Sequence, residues 1–351
     1  MKHILFFNII FLFACSLYGQ SSDIDFKTDS LHKIGVCDED GFCEPGIKGM
    51  PRPKGFSIVQ ENVMNYGIKT NELRESKKFD NEIKRNKDLE VNLRFPVLMK
   101  KTYSLIFGLE YKVEEFQFEN PNDIQNGFIR DLEDKHLRKY GFKVYFSKSL
   151  KGRNYIYTRT SVSLNGDLGA DDFKSSSYQD FFRFSFSGIY GTKVDASKTY
   201  GFGLNYSYNF GDLALFPIFY YNKQWNEKWG LELRLPIKTE LRYFPDKKNL
   251  LYFTNRISGD SYILKLRSLQ EQNTFLGIAS YRSMVRYERE IYDFLWVTVS
   301  AGLRVNINFD LSDREDFINN RDPFIENELA NATFFRFGLF IVPPRKMMKN
   351  R

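Results

Sequence analysis

Residues 200–211 read YGFGLNYSYNFG, and the alternation is strict. Tyr200, Phe202, Leu204, Tyr206, Tyr208 and Phe210 fall on one side of an extended chain, with Gly201, Gly203, Asn205, Ser207, Asn209 and Gly211 on the other. Strand side chains alternate faces with a period of two, so this segment has a large apolar face and a small polar one. Two environments suit it. The apolar face can be buried against a second sheet in a soluble sandwich, or it can meet lipid while the polar face lines a barrel interior.

The pattern recurs, and the length of its runs chooses between the two. Leu89, Val91, Leu93, Phe95 and Val97 alternate with Glu90, Asn92 and Arg94; Tyr103, Leu105, Phe107, Leu109, Tyr111 and Val113 follow. Further runs lie at 140–146, 156–164 and 182–190, then near 213–225, 229–244, 250–264, 274–290, 294–309 and 331–342. Strands of soluble proteins average about five or six residues, whereas membrane strands need about nine to eleven. Many runs here are of the longer kind, and several begin or end on an aromatic residue, as at Trp225, Trp229 and Tyr243, which suits interfacial girdles. The segments delimited here number twelve, and single-chain bacterial barrels use even numbers. Pro236 cannot donate to a ladder and would split 229–244 into two short strands. The expected fold is all-β, a transmembrane antiparallel β-barrel of about 12–14 strands.

Composition agrees. Aromatic residues make up 17% of the chain, with 35 Phe and 21 Tyr, which favours strands and membrane interfaces. Mean hydropathy is nevertheless −0.44. Beyond the N-terminus no apolar run approaches the roughly eighteen residues of a spanning helix, so a helical membrane protein is excluded.

The N-terminus, MKHILFFNIIFLFACSLYGQ, has a basic start, an apolar stretch from Ile4 to Ala14 and small residues after it. This is the form of a secretory signal peptide, assigned to 1–19 and directing the chain to the cell outer membrane. Leu12-Phe13-Ala14-Cys15 is also a loose lipoprotein box, with Phe13 out of pattern. A polar segment, 20–54, reads as a short periplasmic lead-in, followed by the barrel at 55–342 and a basic tail at 343–351. Cys37 and Cys43 are an even pair in an exported segment and are expected to form a disulfide. The acidic residues between them lack the spacing of a calcium loop, and a thiolate zinc site would need two more ligands, so no metal is assigned.

Short links at 150–153 and 194–198 alternate with long polar stretches at 69–87, 117–136 and 166–179, the asymmetry of periplasmic turns and external loops. With the export signal, the aromatic alternating strands and the stretch ELRYFPDKKNLLYFTNRISGDSY, residues 55–342 resemble uncharacterised outer-membrane β-barrel proteins of Gram-negative bacteria. The resemblance is one of pattern and brings no catalytic signature. It implies outer-membrane lipids and the outer-membrane assembly machinery as partners. One departure is that FFRFGLFIV is followed by PPRKMMKNR, where such barrels often end on a terminal aromatic.

A search for chemistry yields little. A barrel lipid hydrolase would need a serine activated by histidine, but His136 is followed by Leu137, Arg138 and Lys139, and no other histidine lies in the barrel. No enzyme activity and no cofactor are expected. Asp167, Asp171 and Asp172 in NGDLGADD offer hard oxygens for calcium, although acidic external loops need no ion. The net charge of +7 is spread along the chain, which points to anionic lipid headgroups and away from nucleic acid.

The informative set is the face that alternation turns inward. It holds Arg94, Arg159, Arg183, Arg234, Arg282, Arg286, Arg304 and Arg336, with Glu90, Glu110, Glu232 and Glu288. Two readings stay open: a passive pore for small polar or anionic solutes, or a closed scaffold whose Arg and Glu satisfy each other.

Overall fold

The computed structural model describes residues 47, 49–73, 77–100, 102–120, 127–168, 176–266, 273–315, 317–318 and 322–348. The expected signal peptide, Cys37 and Cys43, and Asp171 and Asp172 lie outside them. The alternating runs form sixteen strand segments: β1 (Phe56–Val63), β2 (Tyr66–Glu72), β3 (Lys77–Met99), β4 (Tyr103–Phe118), β5 (Leu137–Ser149), β6 (Asn154–Gly166), β7 (Phe182–Asp195), β8 (Lys198–Ser207), β9 (Ala214–Gln224), β10 (Trp229–Leu235), β11 (Lys238–Tyr243), β12 (Asn249–Lys265), β13 (Asn273–Glu290), β14 (Leu295–Ser312), β15 (Ile325–Leu329) and β16 (Ala332–Ile341). Every neighbour pair but one is antiparallel.

The sheet closes on itself. β1 pairs with β16 and with the second half of β3, while β2 pairs with β15 and the first half of β3. β1 and β2 are therefore one stave interrupted at Met64 and Asn65, and β15 and β16 are another, interrupted at Ala330 and Asn331. The result is a fourteen-stave barrel of the outer-membrane plan, with an even count and no edge at the seam. The stretch 229–244 is two staves, β10 and β11, turning at Pro236 and Ile237.

Two expectations need correction. The polar stretch 69–87 is not a loop: β2 and β3 run through most of it as a hairpin, and β3 reaches 23 residues. Its polarity reflects a ladder extended past the apolar band, where strand pairing continues but lipid does not. The run 200–211 is not one strand either. β8 ends at Ser207, and the Gly211 amide bonds back to the Tyr208 carbonyl at 2.9 Å. Gly211 has φ +88°, a left-handed conformation that suits glycine. Tyr208, assigned to the lipid side by parity, turns inward as a result, where its hydroxyl donates to Glu315 at 2.6 Å.

Within β8 the faces separate as alternation requires. Phe202 and Leu204 are 63% and 56% exposed, while Asn205 is 3% exposed. The same outward band runs through Leu93, Leu109, Phe142, Phe184, Leu215, Val285, Val299, Leu303 and Phe337. The barrel end where β1 begins and β16 ends has the tight turns and an aromatic rim of Trp225, Tyr292, Phe294 and Trp229, the last tilted against Tyr243 with ring centres 4.5 Å apart. The longer connections, including helix α1 (Gly127–Glu133), lie at the opposite, loop end.

The staves differ in height. β12, β13 and β14 have 17, 18 and 18 residues, whereas β10 and β11 have 7 and 6. Past the short hairpin, β12 leans across the interior and meets β6, where Ile263 pairs with Gly166 in a parallel contact. A Cβ at Gly166 would collide with the Phe181 ring and the Ile263 carbonyl, so glycine permits this approach. The loop half is thereby closed by the nine staves from β12 round through the seam to β6, and the other half by all fourteen.

Candidate functional site: a cationic chamber

The nine-stave half is narrow, and its inward positions are apolar. Phe116 of β4 meets Phe309 of β14 across the interior at 5.4 Å, and Phe128 of α1 reaches Phe309 at 6.4 Å. Leu132, Leu137, Tyr262, Leu264, Leu276 and Leu311 complete a buried core that fills the loop end.

Below it lies a layer of charge. Lys112 of β4 sits 3.3 Å from Asp88, 3.4 Å from Glu114 and 3.6 Å from Asp260 of β12. Lys139 bonds Asp260 at 2.6 Å, and Lys143 bonds Glu110 at 2.7 Å. Arg304 donates to Asn86 at 2.7 Å with Glu114 at 3.7 Å, and Glu61 lies 3.1 Å from Arg282 and 3.4 Å from Arg336. Asp260 of β12 with Lys112 and Lys139, Arg304 of β14 with Asn86 and Glu114, and Arg282 of β13 with Glu61 join non-adjacent staves and cross-brace the interior. The remaining pairs link neighbouring staves or lie within one strand, and together they answer the cost of buried charge.

The eight predicted arginines, with Glu90 and Glu110, all line a cavity of about 250 Å³. Glu232 and Glu288 are buried in its wall. Glu232 faces Arg234 at 3.1 Å and Arg242 at 3.4 Å, and Glu288 faces Arg286 at 3.2 Å and Lys54 at 2.6 Å. Sequence reasoning missed Glu61, Asp88, Lys112, Glu114, Lys139, Lys143 and Asp260. Most were within reach of the same parity rule: Asp88 precedes Glu90 by two, Lys112 and Glu114 follow Glu110, and Lys139 and Lys143 flank the outward Tyr140 and Phe142. Glu61 lies on β1, whose weak alternation left that strand unrecognised. Fourteen Lys and Arg line the cavity against six Asp and Glu.

The wall from β6 to β8 is different. Ser161, Ser163, Asn165, Ser185, Ser187, Asn205 and Ser207 present small hydroxyls and amides. Ser187, Asn205, Ser207 and Asn209 form a hydrogen-bonded chain. Arg183 lies 5.8 Å from the Tyr208 ring centre and 5.2 Å from that of Phe275, with Glu315 at 3.7 Å.

At the terminal end, the segment before β1 crosses the mouth. Gly49 lies against Gln224 and the Asn222 amide reaches Met50 at 3.7 Å, both on β9. Arg52 then bonds Glu290, the last residue of β13, at 3.3 Å and Asp293 in the turn after it at 3.0 Å. Helix α2 (Arg345–Met348), past the last strand, closes the clasp, its Arg345 bonding Glu290 and Asp293. Burial pushes the Asp293 carboxyl up, but the Arg345 amide and the Arg52 and Arg345 guanidiniums outweigh it and hold it below the usual carboxylate range. Hydrogen bonding to Glu290 raises Arg345.

Outside the barrel interior, His136 Nδ1 lies 2.8 Å from Glu115, half-exposed at the loop end. Asp167 pairs with Lys135. Among the described residues no group of three His, Cys, Asp or Glu is placed to hold a metal ion.

Several solved structures match the chain at low similarity. The toluene transporter TodX of P. putida is 9% identical, with 82% of this chain and 89% of that one covered and a TM-score of 0.37. A Pseudomonas aeruginosa FadL homologue is 8% identical, with 82% and 90% covered and a TM-score of 0.38. LpxR from Salmonella typhimurium is 8% identical, with 82% and 100% covered and a TM-score of 0.34. Likeness at this level says nothing about what the chamber holds. Among curated proteins, none matches the sequence. The model of a domain of unknown function, DUF6268, matches residues 74–341, which takes in every strand from β3 to β16, and the chain belongs to that family.

Proposed function

We propose that this chain is an integral outer-membrane barrel, exported by residues 1–19 and oriented with its tight-turn end toward the periplasm, whose chamber accepts small anionic solutes. The observation that carries this reading is the excess of cations along the cavity, fourteen Lys and Arg against six Asp and Glu at its surface and three more, Glu232, Glu240 and Glu288, buried in its wall. Carboxylates satisfy part of that set, and the surplus makes the chamber attractive to anions. The apolar core at the loop end argues against a straight, permanently open pore.

A second reading is the closed scaffold, favoured by the density of ion pairs around Lys112 and Glu61, two of which span non-adjacent staves. Planar-bilayer recording of the full chain separates the two. The anion reading expects brief openings whose reversal potential in a KCl gradient lies on the chloride side. Openings should become more frequent in Asp293→Asn, which loosens the clasp at the mouth. Silence in both proteins would leave the scaffold, and potassium preference would overturn the anion reading.

A further inference from the structure

The wall of the barrel is incomplete beside the chamber. The β10–β11 hairpin has strands of 7 and 6 residues. At about 3.3 Å per residue and a tilt of about 40°, seven residues rise about 18 Å, short of an apolar band about 25 Å tall. Pro236 and Ile237 at the hairpin tip therefore lie at hydrocarbon depth. The staves on either side continue. β9 extends through 214–218 beyond its last pair with β10, Phe219 with Leu235, and there pairs only with β8. β12 extends beyond its last pair with β11, Arg256 with Lys238, and through 258–262 pairs only with β13.

Two strand edges thus face each other above the hairpin. Pro217 lies on the first, and having no N–H it leaves no donor unpaired there. The upper part of the gap is covered: residues 209–211 lie against Gly259, and Asn165 donates to the Ser261 carbonyl at 3.1 Å. Just above the tip, the rim is Ile218, Ile237 and Ile257, with the Ile257 amide bonded to the Ile237 carbonyl at 2.8 Å. All three isoleucines line the chamber, Ile218 and Ile237 packed beside a buried cluster of Tyr155, Tyr157, Ile189 and Tyr220. So do their neighbours Arg234, 3.1 Å from Glu232, Lys238, 3.3 Å from Glu240, and Arg256. Open strand edges at membrane depth persist only where they are buried in protein or border a cavity, and here the cavity reaches them.

We propose that the chamber opens sideways into the bilayer between β9 and β12, and that this window takes a single-chain anionic amphiphile. The head group sits among Arg234, Lys238 and Arg256, and the alkyl chain lies across the three isoleucines toward lipid. An aliphatic rim on a cationic chamber matches that chemistry at both ends. The loop end, filled by its apolar core, offers no comparable path. The proposal rests on the chamber being an anion site, and its test keeps the two claims apart.

The test is equilibrium binding of dodecanoate, dodecanol and butyrate to the full chain in lipid nanodiscs. Three proteins are compared: wild type, Ile237→Trp, which fills the window, and Val285→Trp, on the outward face of β13. Heat-modifiable gel mobility confirms that each is folded. Dodecanoate should bind wild type and Val285→Trp alike and weaken by about tenfold or more in Ile237→Trp, with dodecanol bound poorly throughout. Undiminished binding to folded Ile237→Trp overturns the window. Equal binding of dodecanol overturns the head-group assignment. Butyrate bound without dodecanoate overturns the window and leaves the anion chamber standing.

Discussion

The loop half and the terminal half of the interior are built on inward-facing positions of the same strands, yet the first is filled by one apolar core and the second holds a charged layer with two smaller apolar clusters. Along β4, inward Phe116 and Phe118 belong to the apolar core, while Glu110, Lys112 and Glu114 belong to the charged layer. The number of staves accounts for the difference. Nine staves leave a bore that phenyl rings from opposite walls can bridge, as Phe116 and Phe309 do. Fourteen staves leave more room, and there two separate apolar clusters, one around Tyr155 and one around Trp296, leave a polar and charged cavity beside them. The lean of β12 onto β6 divides the two regimes. Width, then, decides which residues an interior tolerates.

The comparison can be broken first at its tightest point. Replacing Phe309 with Ala removes the ring that touches both β4 and α1 and should cost about 3–5 kcal/mol, read from urea unfolding in lipid vesicles. A loss below about 1 kcal/mol would mean that the loop half is not a packed core. Next comes the wall itself. Leu204→Arg puts a charge into hydrocarbon at about 2–4 kcal/mol, whereas Asn205→Arg points into the wide half, where carboxylates and water can receive it. Heat-modifiable mobility after folding into vesicles ranks the two; equal tolerance would mean that the strand is inside out.

The charged layer should yield less per change than the apolar core. Glu114→Gln takes a carboxylate from between Lys112 and Arg304 and should cost about 1–3 kcal/mol. Combining it with Arg304→Gln should cost less than the sum of the single changes, because the two side chains share one interaction. Strict additivity would show that the 3.7 Å separation carries no coupling. The smallest effect is expected at the mouth. Asp293 has its pKa lowered in the folded chain, so its contribution is present above the ordinary aspartate range and is lost as pH falls through the folded value. Acidification below about pH 4 should therefore speed proteolysis of the segment before β1. In Asp293→Asn that acid-dependent increase should be reduced.

Period-two alternation determined by itself which side chains face in and which face out along most strands. That is a local property of extended backbone, and it flagged the break at Pro236; the twelve Arg and Glu it singled out lie along the cavity or buried beside it. It failed where the backbone leaves the strand, as at Tyr208, and where polarity disguised a ladder, as at 69–87. Only the tertiary structure decided who meets whom: Lys112 with Asp260, Phe116 with Phe309, Ile263 with Gly166. These partners are far apart in the chain, and their meeting depends on stave number, unequal strand height and the lean of β12. Those quantities belong to the closed sheet as a whole, and no short stretch of residues encodes them.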